Sequence, residues 1–339
     1  MKIKEPKFWW IKKPHFFLKL IILNWNKFLS LFIFLKIFLT KKYSPIIPVI
    51  CIGNFVVGGQ GKTPFVRFLR QLLELNGVKS GVILTGYGGF NKTTKIINKN
   101  DSPSEFGDES ILHAADGLTV VSKNRKKSFE ALENIPIDIA ILDDGLQDAS
   151  IKKDINIALI DLSKGSGNGS LIPFGPLRET LTQGIQKTDL IIFINSINKE
   201  HSSIEEIKKI WKGPSFFAEY KTILDEKIKS DVVLYSGISN PRKFSEGVKN
   251  NKRRIKKSFI FADHQRIDEK KAKNIIETSH LEGADIVTTE KDYFRLRDSP
   301  RGSQREKLFL LSKVATLRII IDEQSFLKFL TKKLNIKFN

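Results

Sequence analysis

The stretch IIPVICIGNFVVGGQGKTP, Ile46 to Pro64, decides how the rest of the chain is read. It opens as a continuous apolar run and turns glycine-rich. It then reaches Gly61-Lys62-Thr63, the order a phosphate cradle needs: backbone N–H groups, a point charge and a hydroxyl. A buried strand entering such a loop, with a helix opening at Lys62, is the context that separates a P-loop from a glycine turn. The strict pattern wants glycine at position 56, where Val56 stands, so the fit is to the shorter Gly-Gly-x-Gly-Lys-Thr form. Read this way, Gly58, Gly59, Gln60, Gly61, Lys62, Thr63 and Pro64 wrap the phosphates of a nucleotide. Lys62 neutralises the β- and γ-phosphates and Thr63 ligates Mg²⁺.

Working outward, similar short apolar runs recur at Gly81 to Thr85, Leu118 to Ser122, Ile137 to Leu142, Ile155 to Ile160 and Leu190 to Ile194. Continuous rather than alternating hydrophobicity marks strands covered on both faces, and joining parallel strands requires right-handed helical crossovers. The expected fold is α/β: a P-loop-NTPase-like, doubly wound parallel sheet in α/β/α layers, spanning 44–212. SFFAEYKTI alternates as an exposed strand does, so 213–230 reads as a strand-like linker. A second, smaller α/β/α domain follows over 231–339. Its helix starts are signalled by Asn240-Pro241 and Asp268.

At 339 residues, 41% hydrophobic and 28% charged, the chain can bury a globular core. One cysteine, Cys51, excludes an internal disulfide framework and reads as a small buried hydrophobe. The formal charge of +20 favours polyanions: nucleic acid, anionic lipid or phosphorylated substrate. Its distribution is more telling. Residues 1–43 hold ten lysines, one acid (Glu5) and three of the four tryptophans. Within them HFFLKLIILNWNKFLSLFIFLKIFL, His15 to Leu39, is interrupted by Lys19, Asn24, Asn26, Lys27 and Lys36. Such a segment reads as a helix or helix pair lying in the headgroup layer rather than a clean span. Inner-membrane lipids are therefore an expected partner. Nucleic acid is not, because no recognisable basic-aromatic module accompanies the charge.

Further residues could carry chemistry. ILDDG ends a buried strand in Asp143 and Asp144, pointing at the crevice where ligands of parallel sheets bind. Alone, that string is more often a turn; beside a P-loop it reads as the Mg²⁺-side acid. FGDES places Asp108 and Glu109 in a first helical turn, where acids are favourable on dipole grounds alone. FADH sets His264 after a strand, also a place for an ordinary surface histidine. The irregular GNGSLIPFGPLRET, Gly167 to Thr180, is long for a structureless loop and ends at Arg178, an arginine able to meet a transferring phosphoryl group.

In order, GNFVVGGQGKTP, TGYGG, FGDE, ILDDGLQ, GNGSLIPFGPLRE, SGISNPRKF, FADH and VTTEKD resemble the tetraacyldisaccharide 4′-kinase family, from about Pro48 to Leu296. The resemblance implies transfer of the γ-phosphate of ATP, with Mg²⁺. The acceptor is a lipid A disaccharide precursor, phosphorylated at its 4′-hydroxyl to form lipid IV-A. It also implies two α/β/α domains, a cleft site, and attachment to the cytoplasmic face of the bacterial inner membrane with no obligate protein partner. Asp108 becomes the catalytic base and His264 its partner. Lys62 and Arg178 complete the catalytic group, and Thr63, Asp143, Asp144 and Glu109 face the metal. Tyr87, Gly88, Arg125 and Gln147 are the positions expected on the lipid side. Thr85 stands where the family usually has arginine before Gly-Tyr-Gly, and Asp148-Ala149-Ser150 replaces a usual His-Arg pair. A rival reading is a membrane-associated P-loop ATPase switch. Many such switches place a signature lysine just before the two glycines, where this chain has Val57.

Overall fold

The computed structural model describes residues 6–10, 16–163, 165–194, 202–238, 240–262 and 265–336. After a short 3-10 turn at Lys7–Trp10, the first elements are α1 (Phe16–Leu39), β1 (Val49–Gly53), α2 (Lys62–Leu75), β2 (Ser80–Leu84) and β3 (Lys95–Ile97). Next come α3 (Pro103–Phe106), α4 (Asp108–Asp116), β4 (Thr119–Val121), α5 (Arg125–Glu130), β5 (Ile139–Asp143), β6 (Ile155–Asp161), α6 (Leu181–Gln186) and β7 (Leu190–Ile194). The chain continues through α7 (Ser202–Ile210), β8 (Ser215–Ile223), β9 (Asp231–Ser236), α8 (Pro241–Asn250), β10 (Arg254–Ile260) and α9 (Glu269–Leu281). It closes with β11 (Asp285–Thr289), α10 (Glu290–Phe294), α11 (Gln304–Leu311), β12 (Ser312–Ile320) and α12 (Glu323–Leu334).

Two compact units emerge, and neither is continuous in sequence. The first comprises Met1–Leu84, Asn124–Glu219 and Ile320–Asn339; the second comprises Thr85–Lys123 and Tyr220–Ile319. In the first unit the strands run parallel in the order β8-β7-β6-β1-β5-β2. Central β1 pairs Val49 with Ala140 of β5 and Ile50 with Ile155 of β6. Every residue of β1, β2, β5 and β7 is buried, as an apolar strand covered on both faces must be. Helix α2 lays Phe65, Val66, Leu69, Leu72 and Leu73 against this sheet.

The second unit holds β10-β9-β11-β12, again parallel, with the antiparallel pair β3–β4. Leu118 to Ser122, expected among the parallel strands, thus pairs antiparallel with Lys95–Ile97 as β4. Asn240 and Asp268 cap α8 and α9, their side chains accepting from Lys243 N and Lys271 N.

The expected sequential division, 44–212 and 231–339 about a 213–230 linker, is not how the contacts partition. Residues 85–123 join the second unit because α4 packs on α10. Residues 320–339 join the first because Phe326 of α12 is buried among Phe65, Phe68 and Phe216. Nor is Ser215–Ile223 a free linker strand, since β8 is hydrogen-bonded to β7 from Ser215 to Ala218.

Helix α1 is one continuous helix with two unlike faces. Ile22, Trp25, Asn26, Leu29, Ser30, Ile33 and Ile37, spaced mostly by three and four, are at least partly covered. Leu23, Phe28, Leu31, Phe32, Phe34, Leu35, Phe38 and Leu39 are exposed. The window Ile22–Leu39 has a mean hydropathy of 1.5 and is long and apolar enough to cross a membrane by length and composition.

Candidate active site

In the first unit the site begins where β1 stops. A side chain at Gly53 would meet Leu146 Cβ, so the two loops leaving β1 and β5 touch only because position 53 has no Cβ. The following loop turns through Gly58 (φ 100°) and Gly61 (φ 75°), left-handed values that glycine adopts freely, and α2 opens at Lys62. Lys62 Nζ donates to Asn54 Oδ1 at 3.2 Å and lies 3.6 Å from Asp144 Oδ1. Thr63 Oγ1 donates to Asp143 Oδ2 at 3.3 Å. Gln60 Oε1 accepts from Asp161 N at 2.9 Å, fastening the loop to β6. Two buried amide nitrogens, Asn54 Nδ2 and Gln60 Nε2, have no hydrogen-bond partner among the described residues. A buried donor left unsatisfied costs about 1–3 kcal/mol, and a phosphate oxygen is its natural complement.

The second half of this site comes from the end of β5. Asp143 is buried, 4% exposed, and Asp144 follows at φ 57°, a left-handed conformation that aspartate tolerates better than most residues. Arg178 Nη1 donates to Asp144 Oδ1 at 2.7 Å and to Gln147 Oε1 at 3.3 Å. Gln147 Nε2 in turn donates to Asn54 O at 2.9 Å and Glu179 Oε1 at 2.7 Å, while Lys187 Nζ pairs with Glu179 Oε2 at 2.5 Å. Asp144 is therefore the anion on which Lys62 and Arg178 both converge. Burial works against its ionisation, but the Lys62 and Arg178 charges outweigh that and hold its carboxyl below the ordinary range.

A stability prediction follows from the sign of that shift. A depressed native pKa contributes stability above the unfolded value, about pH 4, which is lost as pH falls through the native value. Asp144→Asn keeps the left-handed turn but leaves two cations facing each other. The variant is expected to melt below the wild type at pH 7, and the gap to close as pH falls below about 4. Melting curves across that range, without nucleotide, check this. A gap independent of pH would show that the carboxylate's charge is not what stabilises the turn.

Arg125, expected on the lipid side, is instead 3% exposed. Its Nη2 donates to Asp143 O at 3.1 Å and its Nε lies 3.7 Å from Asp148 Oδ2. Burial pushes its pKa down, opposed by Asp148. Its position makes it an internal brace for the Asp143 carbonyl. Asp148, one of the departures from the family pattern, is the anion that accompanies it.

The remaining sequence-predicted residues lie in the second unit. Asp108 and Glu109 open α4, as the sequence indicated, behind Gly107 at φ 90°. Arg295 Nε donates to Asp108 Oδ2 at 2.6 Å, and Arg295 Nη1 reaches Asp292 Oδ1 at 2.6 Å and Gly237 O at 2.9 Å. Lys291 Nζ lies 3.5 Å from Glu109 Oε1. Tyr87 is exposed at 62%, and Gly88 (φ 87°) has open space where a side chain would be. His264 lies outside the described residues.

The donor set at the P-loop suits a hard divalent cation. Thr63 offers a hydroxyl and Asp143 a carboxylate, both oxygen ligands of the type Mg²⁺ prefers. Asp144 is engaged by two cations and Glu109 by Lys291. Sequence reading missed Asn54, Glu179 and Arg295 as site residues. Asn54 carried a signal, a lone amide at the end of an apolar strand. Arg295 carried none, since an arginine in an amphipathic stretch has no distinguishing pattern.

The family model described as tetraacyldisaccharide-1-P 4′-kinase matches residues 20–335. A tetraacyldisaccharide 4′-kinase from Rhizobium rhizogenes is 32% identical over 333 residues, covering 95% of this chain and 90% of its own. One from Allorhizobium ampelinum is 31% identical over 334 residues, covering 95% and 94%. One from Brucella suis is 33% identical over 279 residues, covering 81% and 80%. The crystal structure of the "apo" form of LpxK from Aquifex aeolicus in complex with ATP superposes with a TM-score of 0.71 at 24% identity, over 94% of this chain and 99% of that one. That likeness fixes the α/β fold.

Proposed function

The chain belongs to the tetraacyldisaccharide 4′-kinase family, and we infer that it is the ATP-dependent phosphotransferase of lipid A biosynthesis that its relatives are named for. It moves the γ-phosphate of ATP to the 4′-hydroxyl of tetraacyldisaccharide 1-phosphate, giving lipid IV-A. The observation that carries this reading is the convergence of Lys62 and Arg178 on Asp144 beside the Thr63–Asp143 pair. A switch ATPase, the rival reading, is not favoured by the family match.

Phosphoryl transfer needs positioning and electrostatic stabilisation more than covalent help. Gly58 to Pro64 wrap the phosphates, and Lys62 neutralises their ground-state charge. Arg178, already drawn to the same carboxylate, meets the charge of the group in transit. Thr63 and Asp143 would hold Mg²⁺, which would offset charge on the phosphate oxygens. Asp108 takes the proton of the sugar hydroxyl, with His264 orienting it. Tyr87 and Gly88 face the lipid acceptor.

Incubating the full chain with γ-labelled ATP, Mg²⁺ and tetraacyldisaccharide 1-phosphate in micelles tests the assignment. Label is expected in a glycolipid. Label released only as inorganic phosphate would favour the switch.

In this reading the protein is monotopic on the cytoplasmic side of the inner membrane, with the exposed apolar face of α1 in the lipid. An exposed apolar area of this size marks an interaction surface, and the lysines that flank it favour lipid. Replacing Phe28, Leu31 and Phe38 together by serine is expected to release most of the protein from anionic vesicles without changing ATP affinity. Unchanged pelleting at low and high salt would overturn the anchor.

A further inference from the structure

We propose that Trp25 and Asn26 of α1 are positioning residues for Arg178, so that the membrane-facing segment is also part of the scaffold of the phosphoryl-transfer site. The inference rests on the reading of Arg178 given above.

The Gly167–Thr180 loop satisfies much of its backbone internally: Ile172 N donates to Leu177 O, Leu177 N to Ser170 O and Gly175 N to Leu171 O. Four of its backbone groups are met instead by the N-terminal segment, the first being Asn168 N, which donates to Trp9 O at 2.7 Å. Leu171 N donates to Asn26 Oδ1 at 3.0 Å, Trp25 Nε1 donates to Ile172 O at 2.8 Å and Trp9 Nε1 to Pro173 O at 2.8 Å. Trp9 is 1% exposed, and the Trp25 ring stands edge-on to Phe174 with centroids 6.1 Å apart. The loop is also fastened to the segment between β1 and the P-loop glycines, through Val57 N to Pro176 O at 2.7 Å and Arg178 N to Phe55 O at 2.8 Å. The loop is thus held from two sides, by the segment that meets lipid and by the segment that meets phosphate.

This also explains an amide in the middle of an apolar helix. An Asn side chain on a lipid-facing surface is costly, yet Asn26 lies on the covered stripe and its oxygen serves Leu171 N. Released from these ties, a loop rich in glycine would sample other conformations and take Arg178 with it. A misplacement of about 1 Å at a transfer site costs on the order of 10²-fold in rate.

Three variants test the inference: Asn26→Ala removes the acceptor, Asn26→Asp keeps an oxygen there, and Trp25→Phe keeps the ring but deletes its donor. Each is assayed in mixed micelles well below its own melting temperature, for turnover, ATP KM and pelleting with phosphatidylglycerol-containing vesicles. Turnover is expected to fall roughly tenfold in Asn26→Ala and Trp25→Phe, with ATP KM and pelleting unchanged and Asn26→Asp near the wild type; the size follows from partial loss of loop placement. Turnover within twofold of the wild type, a matching rise in ATP KM, or an Asn26→Asp no better than Asn26→Ala would each overturn it. Arg178→Ala belongs in the same series. If it retains turnover, the reading of Arg178 falls and takes the inference with it. If it loses turnover while the helix variants do not, only the inference fails.

Discussion

Arg178→Ala is expected to lower turnover by roughly 10³-fold while leaving ATP affinity within a few-fold, the behaviour of an arginine that meets charge only as the phosphoryl group moves. Lys62→Ala is expected to differ. Its ammonium lies against the phosphate loop already in the ground state, 3.2 Å from Asn54 Oδ1, so its removal weakens ATP binding as well as turnover. A charge-assisted contact of about 1.5–3 kcal/mol corresponds to roughly 10- to 100-fold in affinity. The common link to Asp144 sharpens the contrast, because both cations approach the same carboxylate oxygen, Arg178 at 2.7 Å and Lys62 at 3.6 Å. Arg178→Lys should not rescue, since Nη1 alone makes the Asp144 and Gln147 contacts and the other nitrogens of the planar fork are what can meet phosphoryl oxygens, a pairing a single ammonium cannot reproduce. ATP titration and single-turnover rates measure the two quantities separately. Equal loss of ATP affinity in both variants would refute the division of roles.

What could be read from the sequence is what local chemistry determines. The glycine loop, the buried strands and the caps at Asn240 and Asp268 each follow from a few adjacent residues, and the structure forms all of them, with β4 antiparallel where a parallel strand was expected. Asp143 and Asp144 were legible as a pair at a strand end, but not the split between them: one carboxylate meets the Thr63 hydroxyl and the other two cations. Illegible features depend on partners distant in sequence. Nothing in FLKFL says that Phe326 belongs with Phe65 rather than with the strands just before it. The β12 strand, SKVATLRII, is mostly exposed and so lacks the apolar run that marked the others. Arg125 was expected on the lipid side from the resemblance alone; its burial beside the Asp143 carbonyl is accompanied by Asp148, a residue the sequence reading set aside as a departure. The N-terminal segment read as an anchor from composition, a reading that fits one face of α1. The other face is bonded to a loop more than 140 residues away, which no composition reveals.

Replacing Asp108 is the second large expected effect, and the structure changes which variant is informative. Asp108→Ala removes the carboxylate that Arg295 Nε contacts at 2.6 Å, leaving a guanidinium only 10% exposed to its pairing with Asp292. Truncating one member of a buried ion pair can cost about 3–5 kcal/mol, so lost folding would blur lost catalysis. Asp108→Asn removes the charge and the basicity but keeps an oxygen for Arg295 to donate to, while Asp292 remains as the counter-charge of the guanidinium. Both are expected to lower turnover roughly 10²–10⁴-fold with ATP affinity nearly unchanged, the usual span for removing a general base, but only the alanine variant should melt markedly earlier. His264→Ala should also be impaired. If base and partner act as one unit, the double variant should lose little beyond the worse single one, because such effects are non-additive. Turnover, ATP affinity and melting temperature of the single variants and the double separate these outcomes. Multiplicative losses would break the Asp108–His264 unit. An Asp108→Asn enzyme of near-normal turnover would remove Asp108 from proton transfer altogether, leaving Asp143 or Asp144 as the next candidate base.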